Sequence, residues 1–258
     1  MAVAAPPHRE RATVLGLPVD RLGMSAALDV IAGFVREGGA HHVVTLDSSM
    51  CVQAQRDDQL RQIICSADLV TPDSAGVLWA CRRAGTPLRE RVSGVEMVEA
   101  FCRLSSERGF SVYFLGGAPG IAEAAARRMG ERYPGCRIVG SRDGYFAPDD
   151  EPGVVADIRA TRPDILCVAM GIPRQERWIA RNREALGVPV MIGVGGTLDV
   201  LSGSVRRAPR WMQRLGLEWL WRLIRNPRKL PKVLMLPRFV LQVLRSSRDA
   251  RPAGRSRT

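Results

Sequence analysis

Residues 110–133 of the chain, FSVYFLGGAPGIAEAAARRMGERY, pass from a strand pattern to a helix pattern through a glycine-rich turn. The first part is a short run of aromatic and β-branched residues, which favour strands. The second part, from Pro119 to Tyr133, places apolar and charged residues at helical spacing. Between them, Gly116 and Gly117 follow a strand and precede a helix, where backbone N–H groups can approach a phosphate. The segment therefore predicts a strand–turn–helix unit whose centre is either an anion site or only a tight turn.

The same alternation of strand and helix patterns continues on both sides of this unit. Further strand-like runs are ATVLGLPV, HHVVTL, ADLVTP, CRIVG, PDILCVAMG and VPVMIGVGG. Helical periodicity predicts helices at residues 24–37, 49–66, 75–83, 96–108, 119–133 and 175–186. Such alternation is typical of a mostly parallel sheet with flanking helices, so the sequence predicts an α/β fold.

Ligands of such sheets bind beyond the carboxyl ends of the strands, so the residues near the end of each run are candidates for a functional site. The polar residues and glycines at these positions are Thr45, Asp47, Asp73, Gly116, Gly117, Gln175 and Gly195. Asp73 either caps the following helix or takes a proton from an attacking hydroxyl. Gln175 is either an ordinary first-turn residue or an amide that orients a sugar. The residues alone leave these alternatives open.

The positive charge of the chain is concentrated at its C-terminal end. The formal net charge is +12 over 258 residues, but residues 205–258 hold 15 Lys and Arg against two acidic residues, which leaves residues 1–204 at net −1. A neutral body with a cationic, Trp-rich tail favours an anionic membrane surface as partner over nucleic acid. We predict a disordered start at 1–12, an α/β domain at 13–204, a basic helical appendage at 205–244 and a disordered end at 245–258.

The appendage begins with an amphipathic pattern at residues 211–226, which predicts one helix with a narrow charged stripe and a broad apolar face. The stripe consists of Arg214, Glu218, Arg222 and Arg225. A second, mostly apolar stretch at residues 228–244 is predicted to break at Pro231 and Pro237. We expect residues 1–204 to fold without this appendage.

Cysteine, histidine and hydropathy patterns restrict the class of protein further. Six cysteines without a C-x-x-C pair are typical of reduced thiols in a cytoplasmic protein. The chain start has no continuous apolar run, and no segment reaches the roughly 18 uncharged apolar residues of a spanning helix. With three histidines, a Ser-His-Asp triad or a His-rich metal site is hard to assemble. The pairs Asp57–Asp58 and Asp149–Asp150 are better interpreted as helix starts than as a metal site.

Several segments together resemble the WecG/TagA/CpsF glycosyltransferase family, in the order and at the spacing of that family. They are VVTLDSSM, ADLVTPDSAGV, RVSGVEM, VYFLGGAPGIAE, GYF, MGIPRQERWI and GVGGTLDVLSGSVRRAPRWMQRLGLEWLWRLI. The resemblance runs from about residue 13 to residue 230, and the block from Gly193 to Arg222 is long and specific.

The resemblance implies an inverting, metal-independent enzyme of cell-surface polysaccharide synthesis. It would move a sugar from a UDP-sugar to an undecaprenyl-diphosphate-linked saccharide at the inner face of the cytoplasmic membrane. The implied fold is a Rossmann-like core with a C-terminal helical appendage that docks on the membrane and completes the site. No cofactor is implied, and a homo-oligomer is compatible with these features.

The resemblance also implies roles for individual residues. Asp73 matches the catalytic base, and an inverting transfer needs one such carboxylate opposite the leaving group. The residues that match pocket positions are Thr45, Arg91 and Gln175. Without a metal, arginines must stabilise the departing diphosphate.

Basic residues of the appendage match basic positions of the family, whereas one residue of the body departs from the family pattern. Arg222 resembles an arginine that closes over the donor diphosphate, with Lys229 and Lys232 near two further basic positions. The departure is Asp47, where the family usually has Asn. A carboxylate there would repel a diphosphate unless it is protonated, paired with a basic residue or turned toward a donor hydroxyl.

Two other classes of function are weighed against this interpretation. The first is a non-catalytic membrane-docking module that kept the fold and lost turnover through Asp47. The second is a nucleotide-dependent oxidoreductase on a Rossmann-like sheet, which FLGGAPG alone does not exclude. Sugar transfer by the purified protein distinguishes an enzyme from the docking module. The absorbance of a bound nicotinamide distinguishes an oxidoreductase from a glycosyltransferase.

Overall fold

The computed structural model of the protein describes residues 9–209, 211–212, 218–225 and 233–249. Lys229, Lys232 and Pro231 lie outside the described residues, as does the side chain of Arg222. The predictions for these groups therefore stay predictions.

A six-stranded parallel sheet forms the centre of the described chain, in the order β4-β3-β8-β7-β5-β6. Its strands are β3 (His41–Leu46), β4 (Leu69–Pro72), β5 (Ser111–Gly116), β6 (Arg137–Arg142), β7 (Ile165–Ala169) and β8 (Val190–Gly193). The first two strands, β1 (Arg11–Val14) and β2 (Leu17–Asp20), form a separate antiparallel hairpin. The predicted α/β fold with a mostly parallel sheet is confirmed.

Helices cover both faces of the sheet. They are α1 (Met24–Glu37), α2 (Ser48–Gln53), α3 (Asp58–Ser66), α4 (Ala75–Arg83), α5 (Gly94–Arg108), α6 (Ile121–Arg132), α7 (Glu151–Thr161), α8 (Arg174–Leu186) and α9 (Thr197–Ser202). In the appendage, the structure describes α10 (Glu218–Arg225) and α11 (Met235–Asp249).

Several boundaries differ from the prediction, for local reasons. The single helix predicted at 49–66 is two helices, because the Asp57 carboxylate accepts a hydrogen bond from the backbone N–H of Leu60 at 3.0 Å and starts α3. Helices α7 and α9 were not predicted. Pro152 and Gly153 weaken the helical pattern of α7, although proline is compatible with a first turn.

The ordered part of the chain extends further toward both ends than predicted. Strand β1 starts at Arg11, and α11 continues to Asp249, so the predicted disorder of 11–12 and 245–249 is wrong. The predicted break at Pro237 is also wrong. This proline is the third residue of α11, where the absent N–H would have had no partner within the helix.

The sheet separates two apolar layers. One face packs against α1, α5, α6 and α9, and the other packs partly against α7 and α8 and partly against the hairpin and α2 to α4. Phe239 and Val243 of α11 belong to this last cluster and are 1% and 4% exposed. The appendage therefore contributes side chains to the core of the body, beside α2 and α4.

Candidate active site

The loops that follow β3, β4, β8, β7 and β5 meet at one edge of the sheet, because these neighbouring strands are all parallel. This edge brings together most of the residues predicted from the sequence. They are Thr45, Asp47, Asp73, Gly116, Gly117, Gln175 and Gly195.

Asp73 lies directly after β4, and its side chain does not cap the following helix. Ser74 is the N-cap of α4, and its hydroxyl oxygen accepts from the backbone N–H of Val77 at 3.3 Å. The Oδ1 atom of Asp73 instead accepts from the backbone N–H of Gly94, at the start of α5, at 3.3 Å. Asp73 is half-buried. The alternative that made Asp73 only a helix cap is therefore wrong.

Arg91 lies in the segment that runs beside Asp73, since the backbone N–H of Val92 donates to the carbonyl of Pro72 at 2.8 Å. Burial alone would lower the pKa of Arg91, but the carboxylate of Glu218, with further contributions from Asp73 and Glu96, raises that pKa above its ordinary value. The guanidinium is bonded to Glu218 on α10 and is 22% exposed. The predicted pocket arginine thus lies in the segment beside the predicted base, and it contacts the appendage through Glu218.

Asp47 is the N-cap of α2. Its Oδ1 atom accepts from the backbone N–H of Met50 at 2.7 Å and from the hydroxyl of Ser49 at 2.6 Å. These two contacts fix the carboxylate at the start of α2. Asp47 thus caps α2, a role that asparagine at this position would also fill.

We expect Asp47→Asn to change the free energy of unfolding by no more than about 0.5 kcal/mol, because asparagine caps helices as well as aspartate does. Donor affinity should be equal or higher, since one negative charge leaves the edge where a diphosphate would bind. Urea unfolding and UDP titration measure the two effects. Loss of activity with one donor but not with others would instead make Asp47 a determinant of donor specificity.

Thr45 and Gln175 are engaged within the protein. The Thr45 hydroxyl, in a side chain that is 5% exposed, donates to the backbone carbonyl of Gly193 at 2.7 Å and joins β3 to β8. The Gln175 side-chain oxygen accepts from the N–H of Gly171 at 3.2 Å and from that of Gly195 at 2.9 Å. Both residues thus fix the loops that line the edge.

Gln175 also explains a glycine in the neighbouring strand. The Gln175 amide donates to Glu176 at 2.7 Å, and both side chains are buried. A Cβ atom on Gly193 would lie 2.5 Å from the Gln175 amide nitrogen and 2.6 Å from a Glu176 oxygen. Gly195 has a φ of +56°, and no atom of the described residues would lie within 4 Å of a Cβ atom there. Among the described residues, Gly195 therefore has room around it.

The glycines after β5 serve close packing. A Cβ atom on Gly116, whose φ is +132°, would lie 2.4 Å from the carbonyl oxygen of Ala169 on β7. The N–H of Gly117 donates to that same carbonyl at 3.0 Å, so it is already bonded within the protein. The tight-turn alternative accounts for both glycines, whereas an anion site at the Gly117 N–H has no support.

One group of site residues was missed by the sequence interpretation. Glu218 bonds to Arg91, which lies 127 positions earlier in the chain, and it also lies 3.6 Å from Arg207. Arg207 donates to Glu96 at 2.6 Å. The sequence pattern had placed Glu218 only in a charged helical stripe. No spacing rule connects residues so far apart, so this network had no sequence signal.

Carboxylates outside this edge take structural roles. Asp57 caps α3, and Asp149 and Asp150 form a 3-10 turn that leads into α7, so both acidic pairs lie at helix starts, as predicted. Among the residues that the structure describes, no three histidine, cysteine or acidic side chains lie close enough to hold a metal ion. All six cysteines are free thiols.

A wide groove of the described chain lies elsewhere. It has a volume of about 1780 Å³ and lies between α7 and α8. Its walls are the outer sides of these helices and include none of the predicted site residues. We propose the carboxyl edge of the sheet as the active site, because Asp73, the segment of Arg91 and the loop of Gly195 lie at this edge.

Comparison with known proteins identifies the family of this chain. A model of the glycosyl transferase WecG/TagA/CpsF family matches residues 12–253. The chain is therefore a glycosyltransferase. It belongs to the WecG/TagA/CpsF family, as the resemblance of its segments implied.

Three similar proteins have names that state the sugar they transfer. A Bacillus spizizenii protein is 33% identical over 211 residues, 81% of each chain, and a Bacillus subtilis protein is 30% identical over 207 residues, 80% of each chain. A Staphylococcus aureus protein is 27% identical over 255 residues, which cover 98% of this chain and all of the relative. Each is named an N-acetylglucosaminyldiphosphoundecaprenol N-acetyl-beta-D-mannosaminyltransferase. By these names, the three relatives are N-acetylhexosaminyltransferases.

Proposed function

We propose that the protein transfers an N-acetylhexosamine, N-acetylmannosamine being the first candidate, from a UDP-sugar to a polyprenyl-diphosphate-linked N-acetylglucosamine. The transfer proceeds with inversion and without a metal cofactor, in the synthesis of a cell-surface polysaccharide. The observation that carries this proposal is the Asp73 carboxylate, which accepts the Gly94 N–H at the edge of the sheet, beside the segment of Arg91. The names of the relatives support the choice of sugars.

The proposed reaction is a single displacement. A hydroxyl oxygen of the acceptor attacks the anomeric carbon of the donor sugar, while its proton passes to the Asp73 carboxylate. The bond between the anomeric carbon and the UDP oxygen breaks, and its electron pair leaves on the diphosphate. The base lies on the face of the sugar opposite the leaving UDP, so the acceptor oxygen attacks the anomeric carbon from that face. Attack from this face inverts the configuration at the anomeric carbon.

Cations would stabilise the charge that develops on the leaving diphosphate. Arg91 is the described arginine beside the base, and its planar guanidinium suits two phosphate oxygens at once. Arg222, Lys229 and Lys232 complete this proposed set from the appendage. Thr45 and Gln175 act on the pocket through the loops that they hold in place.

We infer that the appendage also holds the enzyme on the inner face of the cytoplasmic membrane. Large apolar side chains are exposed on the described part of the appendage, namely Trp211, Trp219, Ile224, Leu234, Val240 and Leu241. Apolar side chains beside many basic residues are typical of helices that lie in the headgroup layer. None of the described helices is long and apolar enough to cross a bilayer.

The proposed function is tested by incubating the purified protein with UDP-N-acetylmannosamine and a short-chain polyprenyl-diphosphate N-acetylglucosamine. We expect a disaccharide product of inverted anomeric configuration, and we expect a strong chelator to leave the rate unchanged, since arginines meet the diphosphate charge. Mass spectrometry of the product over time measures the rate, and NMR of the product determines its anomeric configuration. A rate that falls on chelation and returns with Mg²⁺ would contradict the metal-independent mechanism. Absence of transfer with every UDP-sugar would favour the non-catalytic docking module.

A further inference from the structure

A network of charged side chains joins α10 to the candidate active site. Glu218, the first residue of α10, bonds through Oε2 to the guanidinium of Arg91. Its Oε1 atom lies 3.6 Å from Nε of Arg207, and Arg207 donates to Glu96 in the first turn of α5 at 2.6 Å. The network therefore connects the appendage to the segment of Arg91 and to the start of α5, where the Gly94 N–H bonds to Asp73.

The Glu218 carboxylate is enclosed by this network. Its side chain is 13% exposed, and the side chains of Arg91 and Arg207 are 22% and 23% exposed. Water and salt screen such partly buried charges less than they screen exposed ones. Hydrogen bonds between charged groups are also stronger than neutral ones, so the contact can fix the position of a guanidinium.

Arg91 faces a second carboxylate besides that of Glu218. The backbone N–H of Val92 donates to the carbonyl of Pro72 at 2.8 Å, so the segment of Arg91 runs beside that of Asp73. Burial lowers the pKa of Arg91, whereas the charges of Glu218 and then of Asp73 and Glu96 raise it. If Arg91 paired fully with Asp73, it would stabilise the ionised carboxylate and make it a poorer proton acceptor. The bond to Glu218 gives the guanidinium another anionic partner and limits that pairing.

We propose that Glu218 is a positioning residue for the transfer, which holds Arg91 ready for the donor diphosphate and keeps Asp73 able to accept a proton. This inference rests on the proposed function, because it takes Asp73 as the base. It also couples the appendage to the chemistry through a described contact: when α10 leaves the body, Arg91 loses the partner that positions it.

The proposal is tested with Glu218→Gln, which keeps the side-chain shape and removes the charge. We expect kcat to fall about 10- to 100-fold, the equivalent of one hydrogen bond between charged groups, with little change in the KM of the acceptor. In an Arg91→Ala background, the same substitution should lower kcat by less than about threefold, because its partner is already gone. Glu99→Gln is the matched control. It breaks an exposed ion pair with Arg132 that measures 2.6 Å and should leave kcat unchanged.

Two results would overturn this role of Glu218. One is an unchanged kcat in Glu218→Gln, and the other is an equal loss of kcat in the wild-type and Arg91→Ala backgrounds. If circular dichroism shows that Glu218→Gln does not fold, Glu218→Asp replaces it in the same cycle, since a shortened carboxylate displaces Arg91 without removing the charge. An active wild type with additive losses refutes only this inference. A wild type without transfer activity, or a fully active Asp73→Asn, refutes the proposed function.

Discussion

Asp73→Asn should lower the rate of transfer by about two to four powers of ten, which is the usual contribution of a positioned general base. The amide oxygen of asparagine can still accept the hydrogen bond from the Gly94 N–H, so the local structure is retained. The amide cannot take a proton from the acceptor hydroxyl, so the chemical step alone is impaired. Single-turnover transfer measures this rate, and UDP titration should show an affinity close to that of the wild type.

Asp57→Asn is the matched control for this substitution. Asp57 likewise accepts a backbone hydrogen bond, but it caps α3 and pairs with Arg177. Its conversion to asparagine keeps the capping oxygen, so transfer should be unaffected. If Asp73→Asn is as active as Asp57→Asn, then Asp73 is not the base, and the mechanism proposed for this edge is wrong.

Phe239→Ala should lower the free energy of unfolding by about 3–5 kcal/mol, because Phe239 is a large buried side chain whose loss leaves a cavity. Its exposed fraction is 1%, and it packs in the cluster formed by the hairpin, α2 and α4. Leu241, two positions further along the same helix, is 53% exposed. Leu241→Ala should therefore change the free energy of unfolding by no more than about 0.5 kcal/mol. Urea unfolding of the two variants measures the difference.

The exposed Leu241 tests the proposed membrane role of the appendage separately from the packing role of Phe239. Leu241→Ser should weaken sedimentation with anionic vesicles while stability is retained, since its side chain is available to enter the headgroup layer. High salt should release the wild-type protein, because it screens the attraction between basic residues and anionic lipids. Equal vesicle binding by Leu241→Ser and the wild type would show that this face of α11 does not enter the membrane.

Burial of Phe239 and Val243 also changes one expectation drawn from the sequence. A chain that ends near Ser204 was expected to fold by itself, but it would lack two side chains that fill the core beside α2 and α4. We now expect this shortened chain to be less stable than the full chain. It should also lose transfer activity, because Glu218 and Arg222 are removed together.

Most of the fold could be predicted from the sequence. Strand-like runs and helical periodicity identified all six strands of the sheet, and the predicted bounds of α1 and α4 agree with the structure. The failures occur where local patterns are weak. Helix α7 contains a proline and a glycine near its start, and α9 is six residues long, so neither presents enough periodic turns to be recognised.

The sequence by itself determined the α/β class, the family, and the position of Asp73 at the end of a strand, because periodicity and motif order are properties of short segments. Only the tertiary structure decided that Ser74 rather than Asp73 caps α4, and that Gln175 holds two loops. The tertiary structure alone also joined Glu218 to Arg91 and turned Phe239 inward while Leu241 stayed exposed. These outcomes depend on which loops and helix faces meet when parallel strands bring distant segments to one edge, and no local pattern encodes such a meeting.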